Sequence, residues 1–343
     1  MSQKERSARR LTQYDIAREL GVSQSTVSQV LGNRAASTIP EETRQRVLEA
    51  ARALGYVPDR VARSLRTGKT NIIAAVIPDI TNPFYPALVR GIQDVAEEHA
   101  YHVATYNSDG DGGKERQLLE VIMQARADGV ILAPFHLDRA ALQPLLDRQT
   151  PVVLLAGPDE YPDLPVDNIG TDAVGSAQAA TEYLIGRGHR RIALLTSDLA
   201  WAGRKRAEGY DRALKEQGLP IDDELVVWCK DFTEKGGFEG MQRCARLRPL
   251  PTAVFAASDQ LALGALLAAR ELGIDVPGQV AIIGIDDISL ARLVSPALTT
   301  IAQDQERQGR QAAQMLFERL NQSYQGPPRR IFMPYELIVR ESA

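Results

Sequence analysis

The sequence predicts an α/β protein: a helix-turn-helix unit of three short helices, followed by a core of doubly wound parallel sheets in two lobes. Three observations predict it. The first sixty or so residues show apolar positions at helical spacing, broken by glycines. From Asn71 onward, apolar strand-like runs alternate with helical stretches. Those alternating units are too many for one sheet of normal width, so two similar subdomains with a cleft between them are the natural solution.

Within LTQYDIARELGVSQSTVSQV (11–30), Thr12 stands three residues before Asp15, a capping arrangement that opens a helix. Ile16, Ala17 and Leu20 recur at helical spacing, and Gly21 stops the run. Ser23 is placed to cap a second helix with Val27, Val30 and Leu31 on its inner face. Two short helices around a glycine-containing turn form the helix-turn-helix pattern. Gln24, Ser25, Thr26, Ser28 and Gln29 are expected to face outward. Short polar side chains suit base edges and phosphates in a major groove, whereas a merely solvated helix usually carries Lys and Glu. The alternative is a small structural helix pair.

Thr38 and Glu41 suggest another capping box around Pro40, and Val47, Ala50, Ala51 and Leu54 form the stripe of a third helix ended by Gly55. Beyond Pro58, DRVARSLRTGKT can form one or two helical turns from Arg60 to Leu65, too short to be stable alone, and is read as a hinge.

In the core, strands are expected at 72–78, 102–108, 129–134, 151–157, 191–197, 226–228, 253–258 and 280–286. Helices are expected at 86–99, 115–127, 138–148, 175–187, 204–217, 235–247 and 260–272. YELIVRESA near the end reads as strand-like.

Composition narrows the classes. The chain is 44% hydrophobic and 24% charged, and no stretch approaches the length of a membrane span. MSQKERSARR lacks the apolar run of a secretion signal, and Cys229 and Cys244 form no CxxC. Both point to a reducing cytoplasm, without a disulfide framework or structural zinc. His99, His102, His136 and His189 are scattered, and no metal or cofactor is expected. Residues 1–70 hold 13 Lys/Arg against 7 Asp/Glu, a net of +6; the rest holds 27 against 37, a net of −10. A basic module on an acidic body is the layout expected when one end meets phosphate. There is no GxSxG elbow, P-loop lysine or HExxH, so catalysis is not expected. NSDGDGG (107–113) lacks a GK[ST] ending and reads as a flexible connection. The adjacent Asp286 and Asp287 face opposite ways on a strand and make no catalytic dyad.

Taken in order, YDIARELGVSQSTVSQVL, RVARSL, PDITNPFY, EYLIGRGHRRIALL, RKRAEGY, ASDQLALGAL and GIDD resemble the lactose-repressor (LacI/GalR) family of bacterial transcription regulators over essentially the whole chain. The resemblance implies a DNA-binding domain at 1–59, a hinge at 60–70 and an effector-binding core at 71–343 that resembles periplasmic binding proteins. Lobe 1 would take about 71–172 and 304–332, and lobe 2 about 173–303 and 333–343. It implies that Gln24 and Ser25 choose the operator sequence, with a third reading position at Gln29, where many relatives carry Arg. Arg prefers guanine and Gln adenine, so a different half-site is expected. Thr12, Tyr14, Ser23, Thr26, Ser28 and Asn33 complete the reader's candidate contacts, with Arg60, Ala62 and Leu65 in the hinge. Leu65 matches a leucine wedged into the minor groove; a buried contact against the core is the alternative.

For the effector cleft the resemblance implies Phe84 and Tyr85 on the loop opening the first core helix, Arg206, Phe232, Ser258 and Asp286, and Trp201, a departure from the family, is expected to add a second stacking face. Aromatic faces with Asp and Arg are the ingredients of sugar recognition. The alternatives are ordinary packing for Trp201 and Phe232, and a surface ion pair with Glu208 or Glu182 for Arg206. Ala156 stands where many sugar-binding relatives place Asp, and Trp201 where small polar residues are common, which leaves a nucleoside, glycoside or aromatic effector open. The expectation is a repressor that binds a palindromic operator as a homodimer and responds to a sugar or sugar derivative. A purine or nucleoside corepressor is the alternative, and a non-regulatory sugar-binding protein a more distant one. Dimer rather than tetramer is expected because no heptad helix follows YELIVRESA.

Overall fold

The computed structural model describes residues 11–31, 39–56, 64, 68–136 and 139–343. It divides into two compact units, Met1–Thr70 and Asn71–Ala343.

In the first unit, α1 (Gln13–Leu20), α2 (Gln24–Leu31) and α3 (Glu41–Ala53) enclose a small core. Ile16, Ala17, Val27, Val30, Val47 and Ala51 are buried in it. The ends of α1 follow from their residues. The Asp15 carboxylate accepts from the Thr12 amide at 2.9 Å and the Thr12 hydroxyl at 2.8 Å. Gly21 turns out in the left-handed conformation at φ 68°, which glycine adopts without steric cost. Ser23 Oγ accepts from the Thr26 amide at 3.0 Å and so caps α2. Pro40 holds the N-cap position of α3; the expected Thr38 partner lies outside the described residues.

The second unit contains two six-stranded sheets. The first runs β11–β5–β4–β3–β1–β2, where β1 is Ile72–Ile77, β2 His102–Asn107, β3 Gly129–Leu132, β4 Val152–Leu154, β5 Asp167–Thr171 and β11 Arg330–Met333. All its pairings are parallel. The second runs β12–β10–β9–β8–β6–β7, with β6 Ile192–Thr196, β7 Val226–Trp228, β8 Ala253–Ala256, β9 Ala281–Asp286, β10 Thr299–Gln303 and β12 Tyr335–Ile338. It is parallel except for β12, which runs antiparallel to β10.

Helices cover both faces of each sheet. Ile73 and Ala75 of β1 point to α4 (Phe84–Glu98) and α11 (Gln305–Leu320). Ala74 and Val76 point to the opposite core, with α5 (Gly112–Gln124) and α6 (Arg139–Asp147). In the second sheet α7 (Ala173–Gly186) and α8 (Trp201–Glu216) pack on one face, and α9 (Glu234–Cys244) and α10 (Asp259–Glu271) on the other. Burial on both faces explains why these strands read as continuous apolar runs.

The chain passes between the lobes three times: after β5, after β10 and between β11 and β12. Asp167, at the start of β5, is buried and bound by two arginines. Arg319 reaches its two oxygens at 3.0 and 2.8 Å, and Arg329 Nη2 and backbone N at 2.8 Å each. Both guanidinium groups lie against the Tyr324 ring, at 4.5 and 4.2 Å. This clasp ties the return segment after α11 to the middle of the first lobe.

Candidate functional site

The reader presents its candidates unevenly. Tyr14 is 71% exposed, and Thr12, Ser23, Ser25 and Gln29 are exposed. Gln24 and Thr26 are half-buried, and Gln24 donates to Gln13 Oε1 at 2.7 Å, which ties the start of α2 to the start of α1. The hydroxyls of Ser23, Ser25 and Thr26 share hydrogen bonds of 2.7 and 2.8 Å. Ser28 departs from expectation. It is buried between Val27 and Val30, because a residue one position after a core residue still falls within an apolar arc wider than 100°. Asn33, Arg60, Ala62 and Leu65 lie outside the described residues.

In the second unit one cavity of about 390 Å³ lies between the two sheets, within the usual range of ~300–1,000 Å³ for small-molecule sites. The carboxyl ends of all ten strands β1 to β10 reach it: Asp79 follows β1, Phe135 β3, Ala156 and Gly157 β4, Ser258 β8, and Asp286 and Gln303 end β9 and β10. Side chains just past the carboxyl ends of parallel strands are free of the ladder and face the crevice.

All seven candidates for the effector cleft line this cavity. Phe84 and Tyr85 are not on a loop: they form the first turn of α4, with Pro86 just behind them. Proline is tolerated there because a first-turn amide has no partner within the helix, so the proline does not mark the start. Their rings meet edge-on at 5.1 Å. Burial, with Asp286 nearby, pushes the Tyr85 phenol well above its ordinary range. Trp201 likewise opens α8, with its indole against Gly157; a Cβ at that glycine would stand 2.1 Å from the ring.

Arg206 is 12% exposed and donates to the Ala257 carbonyl at 2.5 Å. Its Nη2 lies 3.8 Å from Asp286 Oδ1, and its buried Nε makes no hydrogen bond. Glu208 pairs instead with Lys205 at 2.6 Å, and Glu182 accepts from Gln178 at 2.8 Å. Asp286 also accepts from Gln303 Nε2 at 2.8 Å. Burial raises its carboxyl above the usual range against the opposing pull of Arg206, and its backbone stands at φ 128°, a strained value for a residue with a Cβ. Asp287, just past the strand at φ 54°, turns away and binds Arg340 at 2.6 Å, so the two neighbours part because the backbone leaves the strand here. Ser258 Oγ caps α10 by accepting from the Leu261 amide at 3.2 Å. Phe232 packs onto the second lobe's core and borders Gly203.

Other lining residues were not legible in advance, among them Asp79, Phe135, Glu160, Asp231, Gln303 and Gln308. Most share one signal, a position shortly after a strand. Phe135 is held by Glu115, buried on α5, whose carboxylate accepts from the Phe135 and His136 amides at 2.7 and 3.0 Å. The glycine-rich loop at 107–113 is more than a connection: Asp109 and Gly110 line the cavity, and Asp111 caps α5 by accepting from Lys114 N at 2.7 Å.

A helix-turn-helix reader carried ahead of a two-lobed binding core defines a class of bacterial transcriptional regulators, and comparison with known proteins gives the particular family. Residues 12–59 match the model of bacterial regulatory proteins of the lacI family, and residues 181–343 match the periplasmic binding protein-like domain. The chain is 35% identical to the HTH-type transcriptional regulator DegA of Bacillus subtilis (strain 168), over 96% of this chain and 97% of that one. It is 36% identical to the ribose operon repressor of Escherichia coli (strain K12), over 91% and 93%. Among solved structures, a transcriptional regulator CelR–cellobiose complex superposes with a TM-score of 0.74 at 32% identity, covering 97% of this chain and 100% of that one. The lac repressor dimer bound to operator and the anti-inducer ONPF gives a TM-score of 0.85 at 25% identity, covering 97% and 98%. The chain belongs to the lacI family of DNA-binding transcriptional regulators. Its relatives are regulators, not enzymes. No helix among the described residues is long and apolar enough to cross a membrane.

Proposed function

We propose that this protein is a cytoplasmic repressor that binds a palindromic operator as a homodimer and is controlled by a sugar or sugar derivative held between its lobes. Residues 1–59 read the operator, 60–70 form the hinge, and 71–343 receive the effector, with lobes at about 71–172 with 304–332 and 173–303 with 333–343. The observation that carries the reading is the convergence of Phe84, Tyr85, Trp201, Phe232, Arg206 and Asp286 on one cavity. Aromatic faces take the CH faces of a sugar ring, and the Arg–Asp pair takes hydroxyls by charge-assisted hydrogen bonds. The buried Arg206 Nε without a partner is a donor waiting for an acceptor. A ribose operon repressor, a cellobiose-bound regulator and an operator-bound repressor among the relatives support the same reading.

On the DNA side, Gln24, Ser25 and Gln29 of α2 are proposed as base-reading groups, Ser25 and Gln29 being exposed, and Thr12, Tyr14 and Ser23 as backbone contacts. Two-fold symmetry of a dimer would place one reader on each half-site. Leu65, with Arg60 and Ala62, is proposed as the minor-groove wedge; unchanged operator affinity in Leu65→Ala would remove that role.

Thermal melting of the full chain against mono- and disaccharides and nucleosides tests the effector. A ligand at a hundred times its dissociation constant adds about 2.7 kcal/mol of stability. A sugar that raises the melting point and changes operator binding in a mobility-shift assay is the expected result. A purine or nucleoside acting this way would give Trp201 a base-stacking role and replace the sugar reading.

A further inference from the structure

The cavity is lopsided in charge. Its walls carry the carboxyl groups of Asp79, Asp109, Glu160, Asp231 and Asp286, against the guanidinium of Arg206 alone among the described residues. Four of the five acids are held by their own neighbours. Asp79 accepts from the Thr81 amide and hydroxyl at 2.8 and 2.7 Å, and Asp231 from those of Thr233 at 3.1 and 2.5 Å. Asp109 pairs with Lys114, and Asp286 with Gln303 and Arg206.

The fifth acid is Glu160, on the segment that follows β4. It is half-buried, its carboxyl meets the Tyr161 hydroxyl, and the charged groups facing it are Arg204 and, with the same sign, Glu115. Burial is the largest influence and pushes it up to about 8, so the group carries its proton at neutral pH until something favours the ion. Its position is set by the backbone. The Glu160 amide donates to the Gly157 carbonyl at 2.9 Å, and Gly157 is the seat of the Trp201 indole. Glu160 from the first lobe and Trp201 from the second thus both line the cavity next to Gly157.

We propose that Glu160 is a specificity-determining residue that grips ring hydroxyls beside Trp201, and that the cavity admits hydroxyl-rich ligands carrying no phosphate or carboxylate. The inference rests on the effector reading above. Two hydroxyls donating to Glu160 would stabilise its ionised form and repay its burial. A phosphate would meet an acidic wall, and the lining guanidinium of Arg206 is already opposed by Asp286.

Isothermal titration of the full-length protein with matched probes tests this: ribose with ribose 5-phosphate, glucose with glucose 6-phosphate, and cellobiose with cellobionic acid. The uncharged member of at least one pair is expected to bind, and its anionic counterpart at least tenfold more weakly. Glu160→Gln should weaken the bound sugar by about ten- to a hundredfold, the worth of a hydrogen bond to a charged group. It should melt like the parent at mildly acid pH, where both side chains are neutral. An anionic member binding more tightly than its parent, or a Glu160→Gln variant that titrates like the unmodified protein, overturns this inference and leaves the effector reading standing. Absence of binding by both members of every pair overturns the two together.

Discussion

The reader keeps its described candidate contacts between Thr12 and Gln29, on α2 and the segments that lead into it, and most of them stand in solvent. The receptor draws its contacts from ten strand ends between Asp79 and Gln303 and encloses them. The difference separates two ways of making a site. In the reader a small core of Ile16, Val27 and Val47 supports a helix most of whose candidate contacts stand outside that core, with Ser23 capping α2 and Ser28 buried as the exceptions. In the receptor the lining groups are themselves tied into the fold. Arg206 is tethered to the Ala257 carbonyl, Ser258 caps α10, and Asp286 holds Gln303.

Breaking one unit without the other is the strongest test of that contrast. Val47→Asp buries an unpaired carboxylate in the reader's core and should cost about 3 kcal/mol or more. Operator binding should vanish in a mobility-shift assay, while ligand-induced stabilisation of the core persists. Loss of both would mean that the units do not fold separately.

A comparable effect is expected in the receptor from Asp167→Asn, which leaves Arg319 and Arg329 around a neutral amide and should lower stability by about 3 kcal/mol. Burial alone would raise the Asp167 carboxyl, but the hydrogen bonds from Arg319 and Arg329 hold it below its ordinary 3.8. Its contribution is therefore present above 3.8 and fades as the pH falls through the lower folded value. Melting curves of parent and variant should converge in acid and diverge toward neutrality.

Gln29→Ala sharpens the comparison from the reader's side. It should cost about 1–3 kcal/mol of operator affinity and relax preference at one base position, with the melting of the core unchanged. The same loss on every sequence would make Gln29 a phosphate contact instead.

The smallest effect is expected from Glu160, and it has the opposite sign to that of Asp167. Its folded value is raised to about 8 from 4.5, so its stabilising share is full below 4.5 and is lost as the pH rises through 8. Glu160→Gln should flatten that decline in unliganded protein, read as melting temperature against pH.

Much of the fold is written locally. Thr12 with Asp15, Gly21 and Ser23 mark the ends of α1 and the start of α2 by hydrogen bonds and backbone conformations that span only a few residues. Runs such as IIAAVI, IALLT and AIIGID announce buried strands because both of their faces are covered. β5 escaped that reading. Its sequence DNIGT has no apolar run; its buried Asp167 is bound by Arg319 and Arg329 and its buried Asn168 donates to the Gly157 carbonyl, partners 11 to 162 residues away. The helix α11 escaped for a related reason: its sequence QERQGRQAAQMLFERL is largely polar, and it lies close on α4 where Gly309 meets the Leu88 carbonyl and Gly91 the Glu306 carbonyl.

The same division holds for the site. The sequence alone determined the reader, the alternation of strands and helices, and, through the family resemblance and the departure from it at Trp201, the seven side chains that meet in the cavity. Patterns of this kind depend on neighbours within a turn or a strand, and they survive in a linear reading. Only the tertiary structure decided that Ser28 faces inward, that Phe84, Tyr85 and Trp201 stand on first turns of helices, and that Glu160 and Trp201, from opposite lobes, line the same cavity. Those outcomes depend on which strand ends lie side by side, and that is set by burial of both sheet faces over hundreds of residues, a long-range constraint that no local pattern records.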